Sequence, residues 1–286
     1  MVIKLSDLYT YKNLSAFGGL MGKTPVVHGG VYVGVEIELE HCLLKTVPRS
    51  FSVENDGSLK EKGKEFITIP IKVKYLEIEL IKLFEGLMEY KSTQRCSTHV
   101  HINVRDLTLQ QLELFITLYI IFEKSLYRYS GNRYTSNFCV PLSHALDYAV
   151  DFISCLKRGY IKEDWKKYFA FNLSPIFGGE SGKLGTIEFR HLKGTDDVPY
   201  IVNWINLITS LKIAAKKINY DIFVQELKPM NTTSSYNKLA MEVFKDYSGL
   251  LTEQIEFKDD VEEGVTLAKQ VLLSCTLCEI EIGEMK

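Results

Sequence analysis

The sequence is short of arginine, with seven in 286 residues, and has no excess of either charge: 34 Lys and Arg stand against 36 Asp and Glu, a formal net charge of −2. That balance gives no general electrostatic basis for binding nucleic acid or an acidic membrane surface, so neither is expected as a partner. Long apolar runs are also missing. The longest, "LFITLYIIF" at 114 to 122, is too short to span a bilayer. The opening "MVIKLSDLYTYKNLSAFGG" has no apolar stretch of signal-peptide length, and the chain is read as cytoplasmic. The cysteines, at 42, 96, 139, 155, 275 and 278, form no regular framework and are read as reduced thiols. Cys275 and Cys278 make a C-x-x-C without the second pair a zinc site needs, and their surroundings read as a buried helix face. No repeat, low-complexity linker, G-x-S-x-G elbow or cysteine-nucleophile signature is present. "FGGLMGKT" at 17 to 24 ends like a phosphate-binding loop, but Gly18, Gly19 and Gly22 do not fit the spacing G-x-x-x-x-G-K-[ST].

What is present is an ordinary globular composition, 46% hydrophobic and 24% charged, in a chain long enough for one large domain or two small ones. "VYVGVEIELE" at 31 to 40 alternates strictly. As a strand it points Val31, Val33, Val35, Ile37 and Leu39 to one face and Glu36, Glu38 and Glu40 to the other. Successive carboxylates would stand roughly 7 Å apart and repel by about 2.5 kcal/mol per neighbouring pair at an effective dielectric of roughly 20. Water on an exposed face can absorb that repulsion. So can hard divalent cations, which gather carboxylate oxygens around them.

Further strands are expected at 64 to 69, 98 to 104 and 185 to 192. The spacing predicts a helix over about 72 to 91, striped by Leu76, Leu80, Leu83, Phe84 and Leu87. A second starts at Thr108 with Gln111 as its capping box and ends before Gly131, its core face carrying Phe115, Leu118, Tyr119, Phe122 and Leu126. A third runs from Ser143 to about Lys157, before Gly159. A fourth follows Asp196 and Asp197, has Pro199 in its first turn, and reaches about Lys217 through Trp204, Leu207 and Leu211. The last 70 or so residues read as helical, with a polar break at "KPMNTTSS". Strands interleaved with helices imply an α+β protein with a mainly antiparallel sheet.

Two more segments repeat the pattern of the first. "STHVHINV" at 97 to 104 places His99, His101 and Asn103 opposite Val100, Ile102 and Val104, and "GTIEFRHL" places Thr186, Glu188 and Arg190 opposite Ile187 and Phe189. Between the first alternating strand and these, "ENDGSLKEKGKEFITIP" at 54 to 70 holds Asp56 and a strand starting near Glu65. Singly, each has a plain reading as exposed polar or cross-strand charged residues. Together they describe a sheet with one apolar face under helices and one polar face lining a cleft. Clustered Glu, Asp and His suit Mg²⁺ or Mn²⁺ better than a thiolate zinc site. Arg190 then has the shape to meet a phosphate bridged by the same cations, which is the equipment of phosphoryl transfer.

Six motifs, in order, resemble the amidoligase family, the carboxylate–amine ligases of the glutamine synthetase and glutamate–cysteine ligase superfamily. They are "GVEIE" at 34 to 38, "DGS" at 56 to 58 with "EFITIP" at 65 to 70, "CSTHVHINV" at 96 to 104, "RYTSNFCVPL" at 133 to 142, "KYFAFNL" at 167 to 173 and "GTIEFRHLKGTDD" at 185 to 197, with Trp204 beyond. The resemblance spans roughly 31 to 206. It implies a curved antiparallel sheet of glutamine synthetase catalytic type over 31–215, with helices on its outer face, an N-terminal segment 1–30, and a helical extension 216–286 packed on the core. It implies ATP and two or three Mg²⁺ ions, or Mn²⁺, in the concave face. Glu36, Glu38, Asp56, Glu65, His99 and Glu188 would be the metal ligands or their close neighbours. His101 would lie nearer the nucleotide phosphates, Arg190 would hold the transferred phosphate, and Arg133 and Asn137 would line the substrate or phosphate side. Ser97 stands where the family usually has glycine, and Phe138 where it usually has tyrosine. Glu40 would either deprotonate the incoming ammonium or sit at the sheet rim.

The expected reaction is ATP-dependent joining of a carboxylate, activated as an acyl phosphate, to an amine. The partners would be small-molecule or peptide acids and amines. Both monomers and rings occur in that superfamily, so an oligomer is compatible. Three other readings stand beside it: phosphotransfer to a guanidine or amine on the same sheet architecture, a cupin-type metal barrel suggested by the H-x-H strand, and a non-catalytic, partner-binding relative.

Overall fold

The computed structural model describes residues 3–11, 31–60, 62–178 and 183–284, with side chains as far as residue 275. The phosphate-loop-like stretch at 17 to 24, most of the N-terminal segment and the side chain of Cys278 lie outside the described residues. The strands are β1 (Tyr32–Leu44), β2 (Phe51–Glu54), β3 (Lys64–Thr68), β4 (Ile71–Lys72), β5 (Leu87–Lys91), β6 (Ser97–Asn103), β7 (Phe171–Asn172) and β8 (Thr186–Lys193). They form one open sheet in the order β2-β3-β1-β6-β8-β7, with β4 and β5 pairing to the two ends of β1, and every strand pairing is antiparallel. The helices are α1 (Leu5–Leu8), α2 (Val73–Glu85), α3 (Leu109–Tyr129), α4 (Leu146–Lys157), α5 (Ser174–Phe177), α6 (Val198–Lys217), α7 (Tyr220–Leu227), α8 (Thr233–Phe244), α9 (Gly249–Thr252) and α10 (Phe257–Glu284). The protein is therefore α+β with an antiparallel sheet, as the strand and helix periodicities predict. Among the described residues no helix is long and apolar enough to cross a membrane.

The alternation in β1, β6 and β8 decides which face is buried. Val33, Val35, Ile37, Val100, Ile102, Ile187 and Phe189 are all in the core beneath the helices. Under β7 and β8 that core is an aromatic layer: Tyr119 of α3 stacks on Phe171 at 4.3 Å between centroids, Phe115 meets Phe171 edge-on at 5.6 Å, and Trp204 of α6 meets Phe189 at 6.3 Å. Such contacts add about 0.5–1.5 kcal/mol each beyond area burial. Tyr119 also ties the layer to polar partners, since its hydroxyl donates to Glu123 at 2.8 Å and lies 2.9 Å from His191 Nε2. Glu123, fully buried, accepts the Leu142 and Ser143 amides at 2.6 and 2.9 Å and so anchors the loop that leads out of α3.

Helix ends follow the sequence signals where these are local. Thr108 and Gln111 cap α3 reciprocally, Asp197 accepts the Tyr200 amide at the start of α6, and Gly131 follows α3 with a φ of 102°. The helix expected over 72 to 91 is shorter. It stops at Glu85, and 87 to 91, including Leu87 of its stripe, becomes β5 on the end of β1, because strand pairing there outweighs helix spacing. The third helix begins as a 3₁₀ turn, Leu142–Ala145, before α4. The segment 41 to 55 contains the end of β1 and all of β2.

The C-terminal helices are not a separate layer. α10 packs along α3 and α4. At Gly264 the approach to α3 is so close that a Cβ would stand 2.2 Å from the Ile121 carbonyl oxygen. Cys275, at the end of this contact, is buried on a helix face.

Candidate functional site

The polar face of the sheet collects its charged residues by register. Glu36 of β1 is the partner of His99 on β6, Glu38 is the partner of Glu65 on β3, and His101 is the partner of Glu188 on β8. Four adjacent strands thus bring six ionisable side chains to one level. Among the described residues three groups can offer ligand atoms within 4.8 Å of one another: Glu36, Glu65 and His99; Glu36, His101 and Glu188; and Glu38, Asp56 and Glu65. Glu36 belongs to two of them and Glu65 to two, so the groups form one continuous cluster. The six metal-ligand candidates of the sequence all lie in it, and His101 joins them.

The contacts inside the cluster have a consistent direction. His99 Nδ1 is 3.2 Å from Glu36 Oε2 and 3.6 Å from Glu188 Oε1. His101 Nδ1 is 3.0 Å from Thr186 Oγ1, and its Nε2 is 3.0 Å from Glu36 Oε1. That Nε2 is buried, and its close approach to Glu36 is an imidazole–carboxylate ion pair inside the cluster. Glu188 accepts from Asn172 Nδ2 at 2.7 Å and from Arg190 Nη1. Arg190 also donates through Nε to the Phe138 carbonyl at 3.2 Å, which fixes the guanidinium from two sides.

Electrostatics separate the carboxylates. Burial pushes the Glu36 carboxyl up, but His101 and His99 together hold it well below the usual carboxylate range. Glu188 follows the same pattern: burial raises it, and His101, Arg190 and His99 bring it down. Glu65 is pushed up by its burial first, and with Glu36, Glu38, Asp56 and Glu54 around it its carboxyl rises to about 8. Burial disfavours the His101 imidazolium, but Glu36 and Glu188 outweigh that and raise it to about 8. Glu36 and Glu188 are thus held ionised while Glu65 and His101 keep their protons to about pH 8, protons that a multivalent cation would displace.

Other predicted residues lie apart from the cluster. Glu40 sits at the far end of the polar face, where it accepts the Lys60 amide at 2.7 Å and Thr93 Oγ1 at 2.9 Å; the Lys60 amide is the main cause of its lowered carboxyl pKa. The next residue, His41, has a φ of 56°, and the face alternation of β1 is broken there. Arg133 Nη1 points to the carbonyls of Arg190 and Leu192, 3.4 Å from each, so it braces the β8 backbone instead of entering the cluster. Asn137 is exposed on the loop that carries Phe138. Asn172 and Ser97 were not singled out by sequence as site residues. Asn172 is the register partner of Glu188, and its signals were a lone amide in the apolar run "FAFNL" and its place in the motif "KYFAFNL". Ser97 shares its face with His99 two residues on.

Beside Glu36 and His101 the polar face opens into a cavity of about 330 Å³, walled largely by apolar groups that include Tyr32, Ile67, Pro70 and Leu184, with Asn103 and Thr186 among its polar members. Gly34 forms part of its floor. No protein-family model matches the sequence, and a search of curated proteins also gives no match.

Proposed function

We propose that this chain is an ATP- and Mg²⁺-dependent carboxylate–amine ligase of amidoligase type, its sheet being of the glutamine synthetase catalytic kind and its helices forming the outer layer. The observation that carries this reading is the convergence of Glu36, Glu38, Glu65, His99, His101 and Glu188 from four strands, with Arg190 at its edge and an apolar cavity at its side. The donor set fits Mg²⁺ or Mn²⁺: it is dominated by carboxylate oxygen, contains no thiolate, and includes the buried imidazoles of His99 and His101. Glu36, Glu38, Asp56, Glu65, His99, His101 and Glu188 would hold two or three such ions. When bound, these ions supply neutralisation of phosphate charge.

In the proposed reaction a substrate carboxylate takes the γ-phosphoryl group of ATP, and an amine then displaces phosphate from the acyl phosphate to leave an amide. The residues of the chain serve this by placement. The cavity beside Glu36 and His101 has the apolar walls and the size to receive a nucleoside, with the triphosphate directed toward the cluster. Arg190, steadied by Glu188 and the Phe138 carbonyl, is assigned to the transferred phosphate. Glu40 is assigned to the rim, since the hydrogen bonds that hold its carboxyl low make it a poor proton acceptor.

Incubation with ATP, Mg²⁺ and a panel of amino acids, peptides and polyamines should release ADP in step with amide formation. A phosphorylated acceptor without an amide would select phosphotransfer. Failure to bind nucleotide with any divalent cation would remove the proposal.

A further inference from the structure

The cluster contains one hydroxyl whose bonds determine the orientation of two proposed ligands. Ser97 opens β6, on the face of His99 and His101. Its Oγ lies 2.5 Å from Glu38 Oε2, and its backbone N–H donates to the same oxygen at 2.8 Å. On its other side, Ser97 Oγ is 2.9 Å from His99 Nε2. Ser97, Glu38 and His99 are all buried.

A hydroxyl has one proton, and Ser97 Oγ donates it to Glu38 Oε2. The contact with Glu38 therefore uses the serine proton, and toward His99 the oxygen can only be an acceptor. His99 must then carry a hydrogen on Nε2. In a neutral ring this leaves Nδ1 as the lone-pair nitrogen, and Nδ1 is the atom that faces Glu36 Oε2 and Glu188 Oε1. The same bonds occupy Glu38 Oε2, while Oε1 accepts no hydrogen bond from Ser97 and stands 3.9 Å from His99 Nε2. We propose that Ser97 is a positioning residue of the metal site: its hydroxyl makes Nδ1 the ligand atom of His99 while holding Glu38 by one oxygen. The inference rests on the metal site of the preceding reading. It assigns to the side chain a task that a glycine at this position, which supplies only the backbone N–H, would leave undone.

A second hydrogen-bonding group behind a metal-bound histidine changes affinity by about 10- to 100-fold when removed. Mn²⁺ binding to the full chain, followed by electron paramagnetic resonance, and ¹⁵N chemical shifts of His99 in the Mg²⁺-loaded protein test the proposal without any activity assay. In the wild type, Nε2 should be protonated and Nδ1 should show the shift of a coordinating, unprotonated nitrogen. Ser97→Ala keeps the backbone bond to Glu38, and it should weaken Mn²⁺ binding by about 10-fold or more and mix the two tautomers. Ser97→Thr, which restores the hydroxyl, should return both measurements toward wild type. A wild-type His99 protonated on Nδ1 overturns the proposal without recourse to any variant, as does a Ser97→Ala protein with unchanged tautomer and affinity. Wild-type protein that binds no Mn²⁺ overturns the metal site itself, a result distinct from the other two.

Discussion

Glu38 and Glu65 are register partners across β1 and β3, two carboxylates set directly opposite each other in an antiparallel pair. Such a pairing destabilises a sheet unless a proton or a cation lies between the charges. With burial added, it helps explain why the Glu65 carboxyl is pushed up to about 8.

The stability of the metal-free protein should therefore fall as pH rises. Unfolded Glu65 loses its proton near 4.5 and folded Glu65 near 8, so between these values the folded state holds a proton that the unfolded state has released. His101, raised from 6.5 to about 8, acts in the same direction over its narrower window. The lowered carboxyls of Glu36 and Glu188 act the opposite way, and only at acid pH. In EDTA the melting temperature should decline from about pH 5 to pH 8 and then level, and Mg²⁺ should flatten the decline. A melting temperature that climbs through this window would contradict the assignment.

Cation binding should release protons for the same reason. Calorimetry in buffers of differing ionisation enthalpy should find proton release at pH 7 that disappears above pH 9, and affinity that rises with pH up to about 8.

Glu65→Gln should separate stability from binding. The amide removes a charge that Glu36, Glu38 and Asp56 repel, so the metal-free variant should melt higher than wild type at pH 9 and about the same at pH 5. Its Mn²⁺ affinity should drop on the order of 100-fold, since carboxylate count sets affinity in such sites.

Arg190→Lys keeps a positive charge but loses the fork that meets both Glu188 and the Phe138 carbonyl. Steady-state kinetics should show kcat reduced on the order of 10³-fold, with a smaller change in the KM for ATP. Arg190→Ala should in addition lower stability by about 3 kcal/mol in urea titration, because it leaves buried Glu188 without that partner.

Gly34 offers a test of the cavity. A Cβ there would lie 3.6 Å from the Cβ of His101, an ordinary contact, so Gly34→Ala should be tolerated. Gly34→Leu should fill part of the cavity and weaken ATP binding by about 10-fold or more, with a smaller effect on Mn²⁺ binding.

Much of the site was legible because its signal is local. Two-residue alternation in β1, β6 and β8 fixes which side chains share a face, and Glu36, Glu38, His99, Glu188 and Arg190 follow from it. What the sequence could not show is which of these residues meet. That is set by register between strands far apart in the chain, and so the pairing of Glu38 with Glu65, the reach of His101 to Glu36 and the role of Asn172 became visible only in the folded molecule. The short strands β2, β4, β5 and β7 were missed for a related reason. Four or five residues, or two in β4 and β7, carry too little periodicity to stand out, and β5 was hidden in the continuation of a helical stripe. The place of Glu40 depends on the unusual backbone at His41, which its own spacing does not reveal.

The antiparallel alignment of β1 has an effect on the folding of the chain as a whole. Were β1 displaced by a single residue, Glu36 and Glu38 would enter the hydrocarbon side while Val35 and Ile37 turned to water. A compact, well-packed form of this protein without its acidic cluster is thus disfavoured by the packing itself. Any cellular surveillance that removes chains with exposed aliphatic strands would, in the same step, proofread the cation-binding centre.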